Sequence, residues 1–158
     1  MKQNDSTQIT GSNLEECDES VPIHHIPLVS ICVSCRDGRE SFHKTRGGLR
    51  LAQVILSLEQ SQTIMRLRGV QCMSQCKRPC IVSLSAQNCF TYVFGDLDPE
   101  HPDHVDALLE MASRFSKAFE GFLHRKERPI PLRSSILGRF PPIESTSQIV
   151  FDLREFKV

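Results

Sequence analysis

The sequence predicts an α/β fold in which a strand–helix–strand unit is followed by a β-hairpin and a closing helix. One observation is that short runs rich in Val, Ile and Phe, typical of strands, alternate with two segments of helical apolar spacing. The other is the length of the connections. A helical crossover makes the first two strands parallel, whereas a two-residue gap indicates that the next two are antiparallel. This β-α-β then β-β-α order is that of a thioredoxin-like domain.

The composition is that of one globular domain with no net charge. The chain has 158 residues, of which 19 are basic and 19 acidic. We therefore expect no nucleic-acid partner, and no apolar run is long enough to span a bilayer. The first twenty residues lack the apolar core of a secretory signal, so we expect a cytoplasmic protein. Because thiols stay reduced there, seven cysteines, an odd number, indicate metal or redox chemistry rather than structural disulfides.

Three parts are predicted along the chain. Residues 1–24 are polar, without apolar periodicity, and are expected to form a disordered tail. Cys17 in this tail lies between two carboxylates, which disfavour its thiolate and make it a poor nucleophile. Residues 25–128 are predicted to form the thioredoxin-like metal-binding domain. Residues 129–158 are predicted to form an extended Pro-rich arm, whose stretch 148–153 (QIVFDL) adds an edge strand.

The first half of the domain contains the strand–helix–strand unit. A short apolar run predicts a buried strand over residues 27–33. A polar loop rich in Arg and Lys follows it and ends at a pair of glycines. Residues 48–58 carry apolar side chains at the i, i+3, i+4 spacing of a helix. Residues 63–70 are predicted to form the second strand, which leads directly into a cysteine-rich stretch.

The second half contains the hairpin and the closing helix. Residues 81–86 and 89–94 are predicted to be strands joined by a short polar turn. An amphipathic helix then begins at Pro102, and its apolar stripe extends to Leu123. Acidic residues favour the positive start of this helix. Basic residues favour its negative end: His124, Arg125 and Lys126.

Two cysteine segments carry the predicted chemistry. Cys32 and Cys35 form a C-x2-C pair, and Cys72 and Cys76 form a C-x3-C pair in the stretch QCMSQCKRPC, which ends at Cys80. A 2Fe–2S cluster needs four thiolates, usually from two segments of the chain, and the two pairs supply them. We therefore predict a metal centre, first of all a 2Fe–2S cluster, on these two pairs. Nearby basic residues would offset its negative charge and raise its reduction potential: Arg36, Arg39, Lys77 and Arg78.

Other uses of the same cysteines are open. The four ligands also suit structural zinc. Alternatively, Cys32 and Cys35 follow a strand, where the redox pair of a thiol oxidoreductase would lie. A loop rather than a helix follows this pair, so we expect the helix N-terminus that lowers a thiol pKa to be missing. A last alternative is a set of buried, unligated cysteines.

Several further residues have less specific interpretations. Cys80 enters a strand, where it faces either the core or the metal and could replace one of the four ligands. Cys89 lies in an alternating strand and is interpreted as a core residue. His43 is interpreted as a solvated loop histidine rather than a ligand. Asp96 and Asp98 are interpreted as turn and capping residues.

Four stretches, CVSCR, CMSQCKRPCIVSL, TYVFGDLDP and LGRFPP, resemble a family of small bacterial proteins of unknown function. Its members are usually described as predicted metal-binding proteins and are grouped with thioredoxin-like 2Fe–2S ferredoxins. The resemblance covers roughly residues 28–143. It implies the thioredoxin-like fold and a cluster on Cys32, Cys35, Cys72 and Cys76. Members often lie near genes for cobalamin synthesis, which implies a role in metal or corrinoid metabolism.

Three functions are consistent with these residues. The first is an electron carrier that performs no catalysis and passes single electrons to a redox partner protein, whose acidic surface docks on the basic residues. The second is a zinc- or cobalt-binding metallochaperone or sensor. The third is a thiol oxidoreductase. The sequence has no Ser/His/Asp set, phosphate loop or dinucleotide fingerprint that would indicate another enzyme. The resemblance to the ferredoxins also allows a homodimer.

Overall fold

The computed structural model describes residues 25–59 and 65–155. This part of the chain forms a five-stranded mixed sheet and four α-helices. The strands are β1 (Leu28–Cys32), β2 (Arg66–Val70), β3 (Val82–Ser85), β4 (Thr91–Phe94) and β5 (Ile136–Phe140). The helices are α1 (Glu40–His43), α2 (Gly47–Glu59), α3 (Pro102–Lys117) and α4 (Ile130–Ser135).

The sheet has the strand order β2-β1-β3-β4-β5. β1 is parallel to β2, as the helical crossover requires, and Cys32 lies opposite Val70 at their carboxyl ends. β3 is antiparallel to both β1 and β4, and β5 is antiparallel to β4. The chain continues from β1 and β2 into the two cysteine segments. The parallel pairing therefore brings both segments to the same end of the sheet.

The predicted strand–helix–strand unit and the antiparallel hairpin are confirmed, with ends that differ by a few residues. The second strand begins at Arg66, and residues 60–64 lie outside the described residues. The predicted tail, residues 1–24 with Cys17, also lies outside them. The loop after β1 contains the short helix α1, which its polar sequence did not indicate.

The core lies between the sheet and the two long helices. α2 packs against β1 and α3, and fully buried side chains fill the contact, among them Leu51 and Ile55 from α2 and Phe115 from α3. Each such side chain stabilises the fold by about 1.5–3 kcal/mol through burial alone. Tyr92 and Phe94 of β4 are fully buried as well. No helix among the described residues is long and apolar enough to cross a bilayer.

The closing helix ends earlier than predicted. α3 stops at Lys117 because the chain then turns through Glu120 and Gly121, whose φ values of 48° and 63° are left-handed. Phe119, which was expected on the apolar stripe, is 69% exposed. The basic residues 124–126 consequently lie beyond this turn and not at the helix end, so the prediction that they interact with its dipole is wrong.

The C-terminal arm is only partly extended. α4 and β5 occupy residues 130–140, and β5 pairs with β4 so that Phe140 lies opposite Thr91. The edge strand predicted over residues 148–153 is wrong, since these residues form no strand. The free edge of β4 is already covered by β5 before the chain reaches them. The apolar residues of 148–153 form no strand, because residues 136–140 already pair with the edge of β4.

Candidate metal centre

β1 delivers the first cysteine pair. Cys32 is the last residue of this strand, and its backbone N–H donates to the carbonyl of Ile81 at 3.0 Å. Cys35 closes the turn that follows, with its N–H donating to the Cys32 carbonyl at 3.3 Å. Both side chains are buried, 3% exposed, and both thiols are free. The sequence thus folds the C-x2-C pair into one tight turn at the edge of the core.

The two thiols of this pair differ in acidity. Burial acts to raise the pKa of Cys32, but its contacts with the Ser34 hydroxyl and the Cys35 thiol and a hydrogen bond from the backbone N–H of Met73 bring it below its ordinary value. Burial raises the pKa of Cys35 to about 11, and the Cys32 and Cys76 thiols add to that rise. Cys32 is therefore the thiol of the pair that ionises first.

The second cysteine segment lies beside the first. It follows β2, and the Ser34 hydroxyl donates a hydrogen bond to the Gln71 carbonyl at its start. Cys72 and Cys76 are exposed, in contrast to the first pair. The Cys72 sulfur accepts a hydrogen bond from the backbone N–H of Ser74 at 3.4 Å. The segment therefore offers two accessible thiols next to two buried ones.

Cys80 is the fifth cysteine of this region and is fully buried. Its N–H donates to the Leu97 carbonyl at 3.1 Å. Burial raises the pKa of Cys80 to about 12, and repulsion from the Cys35 thiol contributes to the rise. Cys80 thus lies on the core side of Cys35. By contrast, Cys89 is buried elsewhere, near Glu120, as expected of a core cysteine.

The donors suit a thiolate-ligated metal in type and in neighbourhood. The Cys32 and Cys76 thiols act electrostatically on Cys35, and Cys35 acts on Cys80. As the loops stand, no three Cys, His, Asp or Glu side chains in the described part of the chain are placed to hold a metal ion.

The start of α2 lies against the first pair. The N–H of Gly48 donates to the Cys35 carbonyl at 3.2 Å, and a Cβ at Gly48 would collide with the Cys32 carbonyl oxygen. The expectation that no helix N-terminus lies near this pair is therefore wrong. The loop between the pair and α2 folds back, so that the helix N-terminus returns to the cysteines. Only glycine at position 48 leaves room for this approach.

An ion-pair network holds the loop that follows Cys35. The buried carboxylate of Asp37 pairs with Arg39 at 2.7 Å and with Arg50 of α2 at 2.5 Å. Burial opposes ionisation, but hydrogen bonds from Arg39 and the charges of Arg50 and Arg39 lower the pKa of Asp37 below its usual value. Arg39 also pairs with Asp98 at 2.6 Å and with Glu100 at 3.0 Å. The network ties the cysteine turn to α2 and to the loop before α3.

Two of the four basic residues expected to offset a cluster's charge have carboxylate partners instead. Arg39 belongs to the network above, and Arg78 pairs with Asp96 at 2.5 Å. Arg36 and Lys77 are exposed and make no ion pair among the described residues. His43 pairs with Glu100 at 2.8 Å and does not join the cysteines.

The thiols of this region were identified from the sequence, but the residues that surround and position them were not. Asp37 and Arg50 are thirteen residues apart and are brought together only by the fold. The sequence does show a glycine pair that includes Gly48, but this pair was interpreted only as the end of the polar loop. Asp98 does act as a turn residue, accepting from the N–H of Glu100 at 2.8 Å, but it also receives Arg39.

Comparisons with known proteins place the chain in one family. The family described as "Protein of unknown function (DUF1636)" matches residues 29–142. No curated protein matches the chain. A thioredoxin-like [2Fe-2S] ferredoxin from Aquifex aeolicus is a similar solved structure, with a TM-score of 0.48 and 16% identity, over 77% of this chain and 98% of that chain. A likeness at this score carries no argument about a cluster.

Proposed function

Because the chain belongs to the family described as Protein of unknown function (DUF1636), its function has to be inferred from its own residues, and we propose that it is a cysteine-ligated metal-binding protein. Cys32, Cys35, Cys72 and Cys76 hold the metal centre, with Cys80 as a substitute ligand. They lie at and beyond the carboxyl ends of β1 and β2. The proposal places the protein in the cytoplasm.

The observation that carries this proposal is that the parallel pairing of β1 and β2 brings the two cysteine segments to the same end of the sheet, where the Ser34 hydroxyl donates to the Gln71 carbonyl. One segment supplies Cys32 in contact with Cys35, and the other supplies Cys76, whose thiol acts electrostatically on Cys35. Buried free cysteines are common as small apolar residues, but the core role does not account for two exposed thiols in the same loop. Metal ligation accounts for both sets, since thiolates from two segments close one site.

A 2Fe–2S cluster is the first candidate, because four thiolates from two segments are its usual ligands, and when bound it takes up and releases single electrons. The chain's own residues prepare the ligands. The Met73 N–H donates a hydrogen bond to the Cys32 sulfur and favours its thiolate. β1 and β3 bury Cys32 and Cys35 on the inner side, away from water. Cys72 and Cys76 lie on the outer side, where a partner protein has access.

The exposed cations beside the cysteines are the docking surface in this proposal. Arg36 and Lys77 are exposed and carry no ion pair in the described part of the chain, so their charge is available to an acidic redox partner. Arg39 and Arg78 contribute little, because their charge is already balanced by carboxylates. The same surface would be shared between two copies if the protein pairs as a homodimer.

Zinc or cobalt held for transfer or sensing is the second candidate. The exposure of Cys72 and Cys76 favours it, since two accessible thiols can pass a metal to another protein by ligand exchange. This function would fit a role in cobalamin metabolism. Two properties distinguish this function from electron transfer: the metal exchanges reversibly, and the centre is not reduced or oxidised.

A thiol oxidoreductase is the third candidate, and the position of α2 favours it. The helix N-terminus at Gly48 lies against the Cys32–Cys35 turn, and a positive helix end stabilises a thiolate. The buried Cys35 would then be the resolving thiol. Under this function the protein turns over dithiols with no metal present.

The test is the visible absorption spectrum of anaerobically purified protein, with iron, acid-labile sulfide, zinc and cobalt quantified on the same sample. Equal iron and sulfide, with visible bands that bleach on dithionite, are expected for the cluster. Colourless protein that carries one zinc and stays colourless after reconstitution would end the electron-carrier proposal and favour the second candidate. Metal-free protein that reduces insulin disulfides would favour the third.

A further inference from the structure

A cavity of the described residues lies away from the cysteines, between α3 and the segment that leads into α4. Its volume is about 550 Å³, which is within the range of small-molecule sites. α3 contributes one wall, with Asp103, Asp106 and Glu110 along it. The opposite side contains Arg128 and the apolar side chain of Ile130, which is 74% exposed.

Arg128 is the unusual residue of this cavity. It is 8% exposed, and its buried Nε has no hydrogen-bond partner. No carboxylate in the described part of the chain pairs with it. A buried guanidinium without a counter-charge is costly, and such groups in proteins are normally paired. The fold therefore holds a cation in a place where an anion would stabilise it.

The surroundings of Arg128 add positive charge. Burial and the nearby guanidinium groups of Arg139, Arg125 and Arg133 lower the pKa of Arg128. Arg133 donates to the Arg128 carbonyl at 2.9 Å and to the Lys126 carbonyl at 2.8 Å, and so fixes the backbone without neutralising any charge. This end of the cavity is consequently cationic and rigid.

The other end of the cavity is acidic. Asp103 and Asp106 lie in the first turns of α3, and the contact of Asp103 with His101 at 4.0 Å is the closest ion pair that either makes among the described residues. Further along the helix Glu110 is paired with Arg114 at 2.5 Å. The carboxylates of Asp103 and Asp106 and the unpaired guanidinium of Arg128 therefore line one cavity.

We propose that this cavity binds a small zwitterion, with its carboxylate on Arg128 and its ammonium group on Asp103 and Asp106. Guanidinium groups bind carboxylates with two parallel hydrogen bonds, and the acidic wall disfavours a doubly charged phosphate. Ile130 and Ala107 provide apolar contact for the carbon chain between the two charged ends. This inference does not depend on the metal centre, which lies at the carboxyl ends of β1 and β2.

The test uses the full chain and four probes: 6-aminohexanoate, hexanoate, hexylamine and inorganic phosphate. Titration calorimetry and thermal unfolding are run for the wild type, Arg128→Met, Asp106→Asn and the exposed control Glu144→Gln. We expect 6-aminohexanoate to bind saturably and to raise the Tm of the wild type and the control. Loss of one charged contact should weaken binding by about tenfold to a hundredfold in each of the other two variants.

The ligand-free proteins provide a second readout. Removal of an unpaired buried charge should leave Arg128→Met at least as stable as the wild type. A lower Tm of that variant would show that the guanidinium has a structural role and would overturn the proposal. Binding of 6-aminohexanoate that is unchanged in Arg128→Met or Asp106→Asn, or absent in the wild type, would overturn it too. If hexanoate binds as tightly as 6-aminohexanoate, the ammonium contact is refuted. If phosphate binds more tightly than 6-aminohexanoate, the proposal that the ligand's anionic group is a carboxylate is refuted.

Discussion

Gly48 lies directly against Cys35: a Cβ on Gly48 would stand 3.2 Å from the Cys35 Cβ and would overlap the Cys32 carbonyl oxygen. The hydrogen bond from the Gly48 N–H to the Cys35 carbonyl holds the two residues in this contact. The cysteine turn and the first turn of α2 are consequently one rigid unit. A change at the start of the helix should therefore displace Cys32 and Cys35.

Gly48→Ala is expected to weaken metal binding and to lower the Tm. At an uncrowded helix position, Gly→Ala stabilises a protein by up to about 1 kcal/mol. A lower stability of Gly48→Ala would therefore be opposite to the usual effect. The reason is that backbone atoms of Cys32 cannot move away from the added methyl group without displacing β1. Thermal unfolding and metal content are measured beside Gln53→Ala, an exposed position of the same helix. A more stable Gly48→Ala protein would contradict the contact.

Cys72→Ser and Cys76→Ser are each expected to remove the metal centre and to destabilise the protein, because metal binding is also free energy of folding. Cys89→Ala, a buried cysteine far from the others, is the matched control and should keep its metal. Metal content is measured by elemental analysis. Unchanged metal in both serine variants would refute the shared site. Retention in Cys72→Ser with loss in Cys80→Ala would identify Cys80 as the fourth ligand.

Asp37→Asn is expected to destabilise the protein by about 2 kcal/mol near pH 7, since charged hydrogen bonds from two arginines are weakened. The folded-state pKa of Asp37 lies below the ordinary value. Its contribution is therefore fully present above about pH 4 to 5 and is lost as the pH falls through the folded-state pKa. Urea unfolding of metal-free wild type and variant should converge at low pH. A difference that stays constant from pH 7 to pH 3 would show that the ion pairs contribute nothing.

Glu120→Asn is expected to release the segment that follows β5. The Glu120 carboxylate accepts hydrogen bonds from the Ser145 hydroxyl at 2.6 Å and from the Thr146 N–H at 2.7 Å. Asn tolerates the left-handed backbone of this position but is too short to reach both partners. Hydrogen exchange at the Thr146 amide should accelerate in the variant and stay slow in Glu144→Gln. Equal protection in all three proteins would show that other contacts hold the segment.

Strands β1 to β4 and helix α2 followed from the sequence because each carries a local apolar pattern. The end of α3 did not, since the pattern continues past Lys117 while the backbone turns at Glu120, and a left-handed residue leaves no mark on hydrophobic spacing. β5 was missed for a related reason: its five residues lie in a Pro-rich segment, and they become a strand by pairing with the free edge of β4.

The sequence indicates which thiols are candidate ligands but not what surrounds them. Cysteine spacing indicates which residues can ligate, whereas the distances between the segments depend on the parallel pairing of β1 and β2. Arg39 pairs with Asp98 and Arg78 with Asp96, carboxylates distant in sequence, so the sequence overestimated the free positive charge near the cysteines. The return of α2 to Cys35 requires the folded loop and could not be deduced from loop length.

X-ray absorption spectroscopy at the metal edge of the anaerobically purified protein reports the ligands of the centre whichever metal is bound. We expect four sulfur atoms around the metal, at about 2.3 Å if the metal is zinc. The number of cysteine sulfurs should fall by one in Cys76→Ser wherever metal is retained. A first shell of nitrogen and oxygen, or fewer than three sulfurs, would contradict a centre held by Cys32, Cys35, Cys72 and Cys76.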